Sequence, residues 1–259
     1  MIPIRHSPAK TANRQLKKAT AKAGETNSQW LARAQATSGV LLLGGSSLEH
    51  FRIRVAQSHL RGDLLPSFWS LAGILRDGKT FLSVPLAPPR DISAVPPNNG
   101  VQVCRLADYD DPRRFPNIAV LQFPADRDPL RLVSESGGAE RDTLELIRHQ
   151  RSIIDLPALI LPWLGYVWGV GRYGNPLLES QGLPSAAFVE TVFGLAGIEL
   201  TPGLTAAASC PEAIWQAAKW WHKFYQKDDA PTGSAASKPP SGVYVTRQPA
   251  AAVVELSAD

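Results

Sequence analysis

A tight turn between two apolar runs is the sequence feature that most limits how this chain can fold. The segments SFWSLAGIL (67–75) and RDGKTFLSVPL (76–86) meet close to the dipeptide Asp77-Gly78. An Asp-Gly pair between apolar segments is a strong hairpin signal, because both residue types tolerate the left-handed backbone that a tight turn requires. We therefore predict two antiparallel strands here, joined by this turn.

Three further segments have the character of strands. SGVLLLGGSS at 38–47 is a short apolar run bounded by glycine and serine, which is typical of a buried strand. An Asn-Gly turn precedes the alternating residues Val101 and Val103, and NIAVLQFP at 117–124 is the last such segment. We expect the β-rich part of the chain to lie between about residues 38 and 124.

From Arg141 onward the apolar residues change to helical spacing. In PSAAFVETVFGLAGIELTPG (184–203) they form one broad helical face, and Gly197 is placed to end the helix. The segment CPEAIWQAAKWWHKFY (210–225) repeats that pattern, with Pro211 in its first turn. Strands followed by helices predict an α+β domain in which an antiparallel sheet or small barrel packs on helices.

Positive charge is concentrated at the start of the chain. Seven basic residues lie within residues 1–36, with Glu25 as the one acid there, although the whole chain carries a net charge of only +4. We predict a basic flexible arm over 1–37, one domain over 38–225, and a Pro, Ser and Ala-rich low-complexity tail over 226–259.

Cysteine usage and hydropathy favour a cytoplasmic protein. Cys104 and Cys210 are too few for a disulfide framework and lack the clustered spacing of a metal site, so we expect neither a metal nor another cofactor. The first thirty residues have no apolar core of the kind that a secretory signal needs. The long apolar segment 153–171 is interrupted by one aspartate and two prolines, which favours a buried, kinked helix over a membrane span.

Five segments follow one another in an order that resembles a known family. They are SGVLLL (38–43), WSLAGIL (69–75), GVQVCRLADY (100–109), NIAVLQFP (117–124) and SAAFVETVFGLAGIELTPG (185–203). This order is similar to that of the circularly permuted papain-like, NlpC-related hydrolases. The resemblance covers residues 38–225 and implies a thiol hydrolase fold that acts on amide or ester bonds through a Cys–His pair.

The resemblance also implies that this catalytic pair is missing. The position of the family's histidine is Leu71, and the position of its cysteine is Ser185, which Ala186 and Ala187 follow. A serine hydroxyl is a poor nucleophile unless a base removes its proton, and leucine cannot act as a base. Serine is also among the best helix N-cap residues, so we interpret Ser185 as a cap.

The leading hypothesis is thus a degenerate, non-catalytic papain-like domain that binds a protein or peptide or serves in assembly. Its candidate binding residues are Trp69 and the adjacent Trp220 and Trp221, which cannot share one helix face, so that one should be exposed. A hydrolase is the first alternative, using Ser185 or Cys210 with a recruited histidine such as His59, whereas the other histidines are interpreted as exposed.

A third hypothesis is an adaptor that binds a nucleic acid or another anionic surface through residues 5–33. Its candidate contacts are Lys17, Lys18 and Lys22, because clustered cations bind polyanions by releasing counterions. The sequence favours a protein partner and disfavours a membrane, and it leaves the oligomeric state open.

Overall fold

A five-stranded antiparallel sheet forms the centre of the domain. The computed structural model describes residues 24–86, 100–122, 155–169 and 173–226, with side chains through residue 220. The strands are β1 (Gly39–Gly44), β2 (Leu71–Leu75), β3 (Thr80–Ser83), β4 (Gln102–Arg105) and β5 (Asn117–Leu121). Their order in the sheet is β4-β3-β2-β1-β5, and every neighbouring pair is antiparallel. The predicted α+β class is confirmed, with an open sheet whose edges are β4 and β5.

The predicted hairpin joins β2 and β3. Its turn is held by the carboxylate of Asp77, which accepts the backbone N–H groups of Lys79 at 2.8 Å and Thr80 at 2.6 Å. The Arg76 N–H donates to the Thr80 carbonyl at 3.0 Å and closes the ladder. The local Asp-Gly chemistry therefore fixes the register of these two strands, as the sequence predicts.

Five α-helices accompany the sheet among the described residues. They are α1 (Asn27–Ala34), α2 (Leu48–Ala56), α3 (Leu156–Trp168), α4 (Pro184–Leu195) and α5 (Pro211–Gln226). Helices α2 to α5 cover one face of the sheet, where they form the larger hydrophobic core. Helix α1 and the turn Leu106–Tyr109 cover the opposite face and enclose a smaller core. None of the described helices is both long and apolar enough to cross a bilayer.

Helix α4 is buried on every side through most of its length. All residues from Pro184 to Phe193 are buried, including Glu190. The helix ends as the sequence predicts: Gly197 adopts a φ of +73°, and the Ile198 N–H donates back to the Phe193 carbonyl at 2.9 Å. The helix within the last segment of the sequence resemblance is therefore enclosed by the rest of the domain over its first ten residues.

Helix α1 corrects the predicted boundary of the flexible arm. A capping box at Thr26 and Gln29 starts the helix, and Trp30 and Leu31 are fully buried against the sheet. The buried Trp30 and Leu31, together with the Asn27 side-chain hydrogen bonds to the carbonyls of Tyr109 and Phe115, bring residues 24–37 into the domain. Three predicted regions lie outside the described residues. They are residues 1–23 of the arm, the start of the helical region at 141–154, and the tail after Gln226.

Helix α2 is an element that the sequence pattern did not reveal. Its residues mix charged and apolar types without a clear apolar stripe, and its buried positions include Arg54. Arg54 is accommodated because its guanidinium donates to the backbone carbonyls of Ser67 and Gly45, at 2.5 and 3.3 Å. Burial of an arginine by carbonyl partners is a tertiary feature that periodicity does not report.

The burial of Trp30 provides a test of the corrected boundary. Trp30→Ala should lower the free energy of unfolding by about 3–5 kcal/mol, because it removes a large, fully buried side chain. Ala32→Ser, on the exposed side of the same helix, is the matched control and should cost less than about 0.7 kcal/mol. Urea unfolding measures the free energy of unfolding of both variants. Equal unfolding midpoints would show that Trp30 does not stabilise the domain and that residues 24–37 belong to the arm.

Candidate functional site

The described part of the chain contains a cleft of about 990 Å³ at one end of the sheet and along β4. Strands β2, β4 and β5 begin at this end, and β1 and β3 finish there. Its apolar lining includes Val84, Leu86, Leu183 and the half-exposed Trp168. Its charged lining consists of Glu49, Asp108, Asp111, Arg105 and Arg114. The cleft is thus a mixed surface with an apolar wall and several polar groups, as is common in ligand-binding sites.

Ser185 and Leu71, the two positions singled out by the resemblance, both line this cleft. Ser185 does not cap α4, which corrects the sequence interpretation: Leu183 is the N-cap residue and Pro184 occupies the first helical position. The Ser185 hydroxyl oxygen instead accepts the backbone N–H of Ala72 in β2 at 3.2 Å, and the Ser185 side chain is buried. It therefore fastens the start of α4 to the sheet.

Leu71 belongs to the hydrophobic core on the α1 side of the sheet. Its side chain is buried together with Leu43 and Phe81, and it offers no group that could take a proton. Among the described residues, neither Ser185 nor Cys210 has an imidazole as a hydrogen-bond partner. The start of α4 and the start of β2 are therefore adjacent and joined by the hydrogen bond from the Ala72 N–H to the Ser185 hydroxyl oxygen, whereas Leu71 belongs to the core on the opposite face of the sheet from α4.

His50 is the cleft residue that the sequence analysis missed. It was interpreted as exposed, but it is partly buried, and its Nδ1 lies 2.8 Å from the hydroxyl of Ser70. A Cβ at Gly45 would lie 2.4 Å from the imidazole, so only glycine leaves room for the ring. The Gly-Gly pair that ends β1 was the available signal, because glycine often marks a close approach of another group.

Burial sets the protonation of His50. Desolvation lowers the pKa of the imidazole to about 4, with Arg114 and Arg54 opposing protonation further and Glu49 favouring it. The ring is therefore neutral at pH 7, and its Nδ1 accepts a hydrogen bond from the Ser70 hydroxyl or donates one to it, depending on the tautomer. The Ser70 oxygen also accepts the Gly45 N–H at 3.1 Å, so this serine joins β1, β2 and α2.

The other candidate nucleophile and base lie apart from the cleft. Cys210 is buried beneath α5, and burial raises the pKa of its thiol to about 12, so the helix start does not activate it. His59 is exposed in the short turn Ser58–Leu60 and does not line the cleft. Cys104 packs in the smaller core, and burial raises its thiol pKa to about 11.

The predicted binding residues differ in their exposure to solvent. Trp69 is fully buried and packs edge-on against Trp215 at 5.0 Å, so it stabilises the core and cannot contact a partner at the surface. Trp220 is 55% exposed, which confirms that one of the adjacent tryptophans reaches the surface. The side chain of Trp221 lies outside the described residues, as do Lys17, Lys18 and Lys22.

Among the basic residues behind the adaptor hypothesis, Arg33 is described. It forms an ion pair with Glu25 at 2.7 Å, so its charge is already balanced within the domain.

Within the described segments, no three His, Cys, Asp or Glu side chains lie close enough to hold a metal ion. Comparisons of the chain with known families, curated proteins and solved structures found no match.

Removal of the Ser185 hydroxyl tests whether it satisfies the sheet. Ser185→Ala should destabilise the protein by about 1–3 kcal/mol, because the buried Ala72 N–H loses its acceptor. Loss of a helix cap would lower the free energy of unfolding by a similar amount. The deciding measurement is therefore amide hydrogen exchange at Ala72, which should be faster in Ser185→Ala than in the wild type. Ser28→Ala, on α1, is the control, and unchanged exchange at Ala72 would contradict the assignment.

Proposed function

We propose that this chain is a non-catalytic domain of the permuted papain-like class that binds a peptide segment of a partner protein in its cleft. The observation that carries the proposal is the position of Ser185. Its hydroxyl oxygen is buried and accepts a hydrogen bond from the Ala72 backbone, in the place where a hydrolase of this class would present its nucleophile.

The arrangement of elements supports the assignment to this class. Helix α4 begins against β2, and the two positions that correspond to the family's cysteine and histidine line the same cleft. The loss of a general base alone lowers a rate by about 100- to 10,000-fold, and here the nucleophile is changed as well. In this proposal, Leu71 and Ser185 have structural roles, and the cleft that they line binds a ligand without a catalytic pair.

The shape and lining of the cleft support a peptide ligand. A volume of about 990 Å³ is at the upper end of the range for ligand sites and is open enough for several side chains. Trp168, which is 48% exposed, stands in its wall. Exposed indoles are frequent anchors of protein interfaces, because they bury a large area at little entropic cost.

One observation favours a hydrolase as the second candidate. Ser70 and His50 are in hydrogen-bond contact in the cleft wall, and the neutral imidazole is in the form that a general base requires. Against this role, the Ser70 side chain is almost fully buried and its oxygen already accepts the Gly45 N–H. The pair is therefore better suited to hold β1, β2 and α2 together.

A fluorophosphonate probe distinguishes the two candidates. The native protein should show no stoichiometric labelling at pH 7, because Ser70 and Ser185, the two candidate nucleophiles among the serines that line the cleft, are buried and committed to backbone hydrogen bonds. Intact mass spectrometry measures the adduct, with a known serine hydrolase in the same tube as a positive control. Labelling that Ser70→Ala removes would establish the hydrolase, and labelling that Ser185→Ala removes would refute the structural role of Ser185.

Peptide selection tests binding directly. Wild-type protein should enrich peptides from a phage-displayed library of random linear sequences, and synthetic copies should bind Trp168→Ala at least about 10-fold more weakly, because an anchor is lost. Trp220→Ala is the matched control, since Trp220 is similarly exposed but lies outside the cleft. Fluorescence anisotropy measures the affinities.

Deletion of residues 1–23 should leave this peptide binding unchanged. The deletion stops there because residues 24–37 belong to the folded domain. Failure to enrich any peptide, or a loss caused by Trp220→Ala with none from Trp168→Ala, would contradict the cleft as the binding site.

A further inference from the structure

Within the described segments, the outer edge of β4 carries backbone groups without hydrogen-bond partners. The Leu106 N–H donates to the Lys79 carbonyl at 2.8 Å, and Cys104 lies opposite Phe81 in the β3 register. Because the direction of backbone groups alternates along a strand, Gln102 and Cys104 bond to β3, whereas Val103 and Arg105 point away from it. Among the described residues, the N–H and C=O of Val103 and the N–H of Arg105 have no partner.

The two edges of the sheet differ in exposure. Every residue of β5, the other edge strand, is buried. In β4, Val103 and Arg105 are exposed, and Val103 has 51% of its surface accessible. An accessible row of backbone donors and acceptors is the feature that another strand recognises.

This open edge forms part of the cleft. Gln102, Val103 and Arg105 all contribute to the cleft lining. Val103 lies opposite Leu82, which belongs to the core on the helical face of the sheet, so the Val103 side chain extends that apolar surface beyond the last strand. A strand laid against β4 would cover Val103 with its own cross-strand side chain.

We propose that the partner segment binds as an extended strand that adds to the outer edge of β4, with an apolar side chain placed over Val103. This inference rests on the proposed peptide-binding function and specifies its mode. Main-chain hydrogen bonds to Val103 and Arg105 supply affinity and orientation, and the apolar contact with Val103 and the cleft wall supplies selectivity. The proposed ligand is an extended peptide that contains one apolar residue. The neighbouring positions of the peptide show little preference for particular amino acids.

An N-methyl scan of a peptide selected as described above tests this mode. Methylation of a backbone nitrogen that faces β4 removes a donor and introduces a clash, whereas methylation at the next residue points away from the protein. Affinity should therefore fall at least about 10-fold at alternate positions and stay within about 3-fold at those between them. Fluorescence anisotropy with wild-type protein measures each methylated peptide.

Substitution of Val103 provides the matching change on the protein. Val103→Pro removes the outward N–H but no hydrogen bond to β3, and proline is tolerated on edge strands, so the domain should remain folded while the peptide binds at least about 10-fold more weakly. Val103→Thr keeps the backbone donor and the branched shape and should bind within about 3-fold of wild type. If Val103→Pro does not fold, the N-methyl scan decides alone.

Two results would overturn the inference, and they differ from a failure of the proposed function. A peptide that depends on Trp168 but tolerates methylation at every position would leave cleft binding in place and exclude strand addition. A concentration-dependent dimer in analytical ultracentrifugation that Val103→Pro abolishes would assign the β4 edge to a second copy of this chain. Failure of peptide enrichment, by contrast, contradicts the proposed function itself.

Discussion

The hydrogen bond from the Ala72 N–H to Ser185 is the interaction on which the arrangement of the site depends. The pairing of β2 with β3 ends at Gly73 and Ser83, so the backbone of Ala72 must find other partners in the core. Ser185 accepts its N–H, and the Ser83 hydroxyl donates to its carbonyl at 2.6 Å. Because an unsatisfied buried amide costs about 1–3 kcal/mol, this serine fixes where α4 begins against the sheet.

A second buried polar network holds the helical layer in place. The Ser67 hydroxyl donates to the Glu212 carboxyl at 2.6 Å, and the Glu212 N–H donates to Gln57 at 2.9 Å. Burial raises the pKa of Glu212, while its hydrogen-bond donors oppose that rise. Each of these hydrogen bonds joins separate segments, so the network connects the end of α2 with the start of α5.

The same geometry supports the proposed non-catalytic function. The neutral imidazole of His50 and the hydroxyl of Ser70 lie in the wall, but their hydrogen bonds tie three elements together and leave the serine oxygen shielded. The exposed groups of the cleft include the indole of Trp168 and the outer backbone of β4. In the proposed function, these groups contact the side chains and the main chain of the bound peptide.

The sequence by itself determined the elements whose signals are local. The Asp77-Gly78 turn, the strand runs and the glycine that ends α4 are all reported by neighbouring residues, because turn chemistry and burial periodicity act over a few positions. Tertiary structure alone decided that Ser185 supports a strand instead of capping a helix, and that His50 faces inward. Those outcomes depend on groups 113 and 20 residues away in the chain, and no local pattern encodes a contact over such a distance.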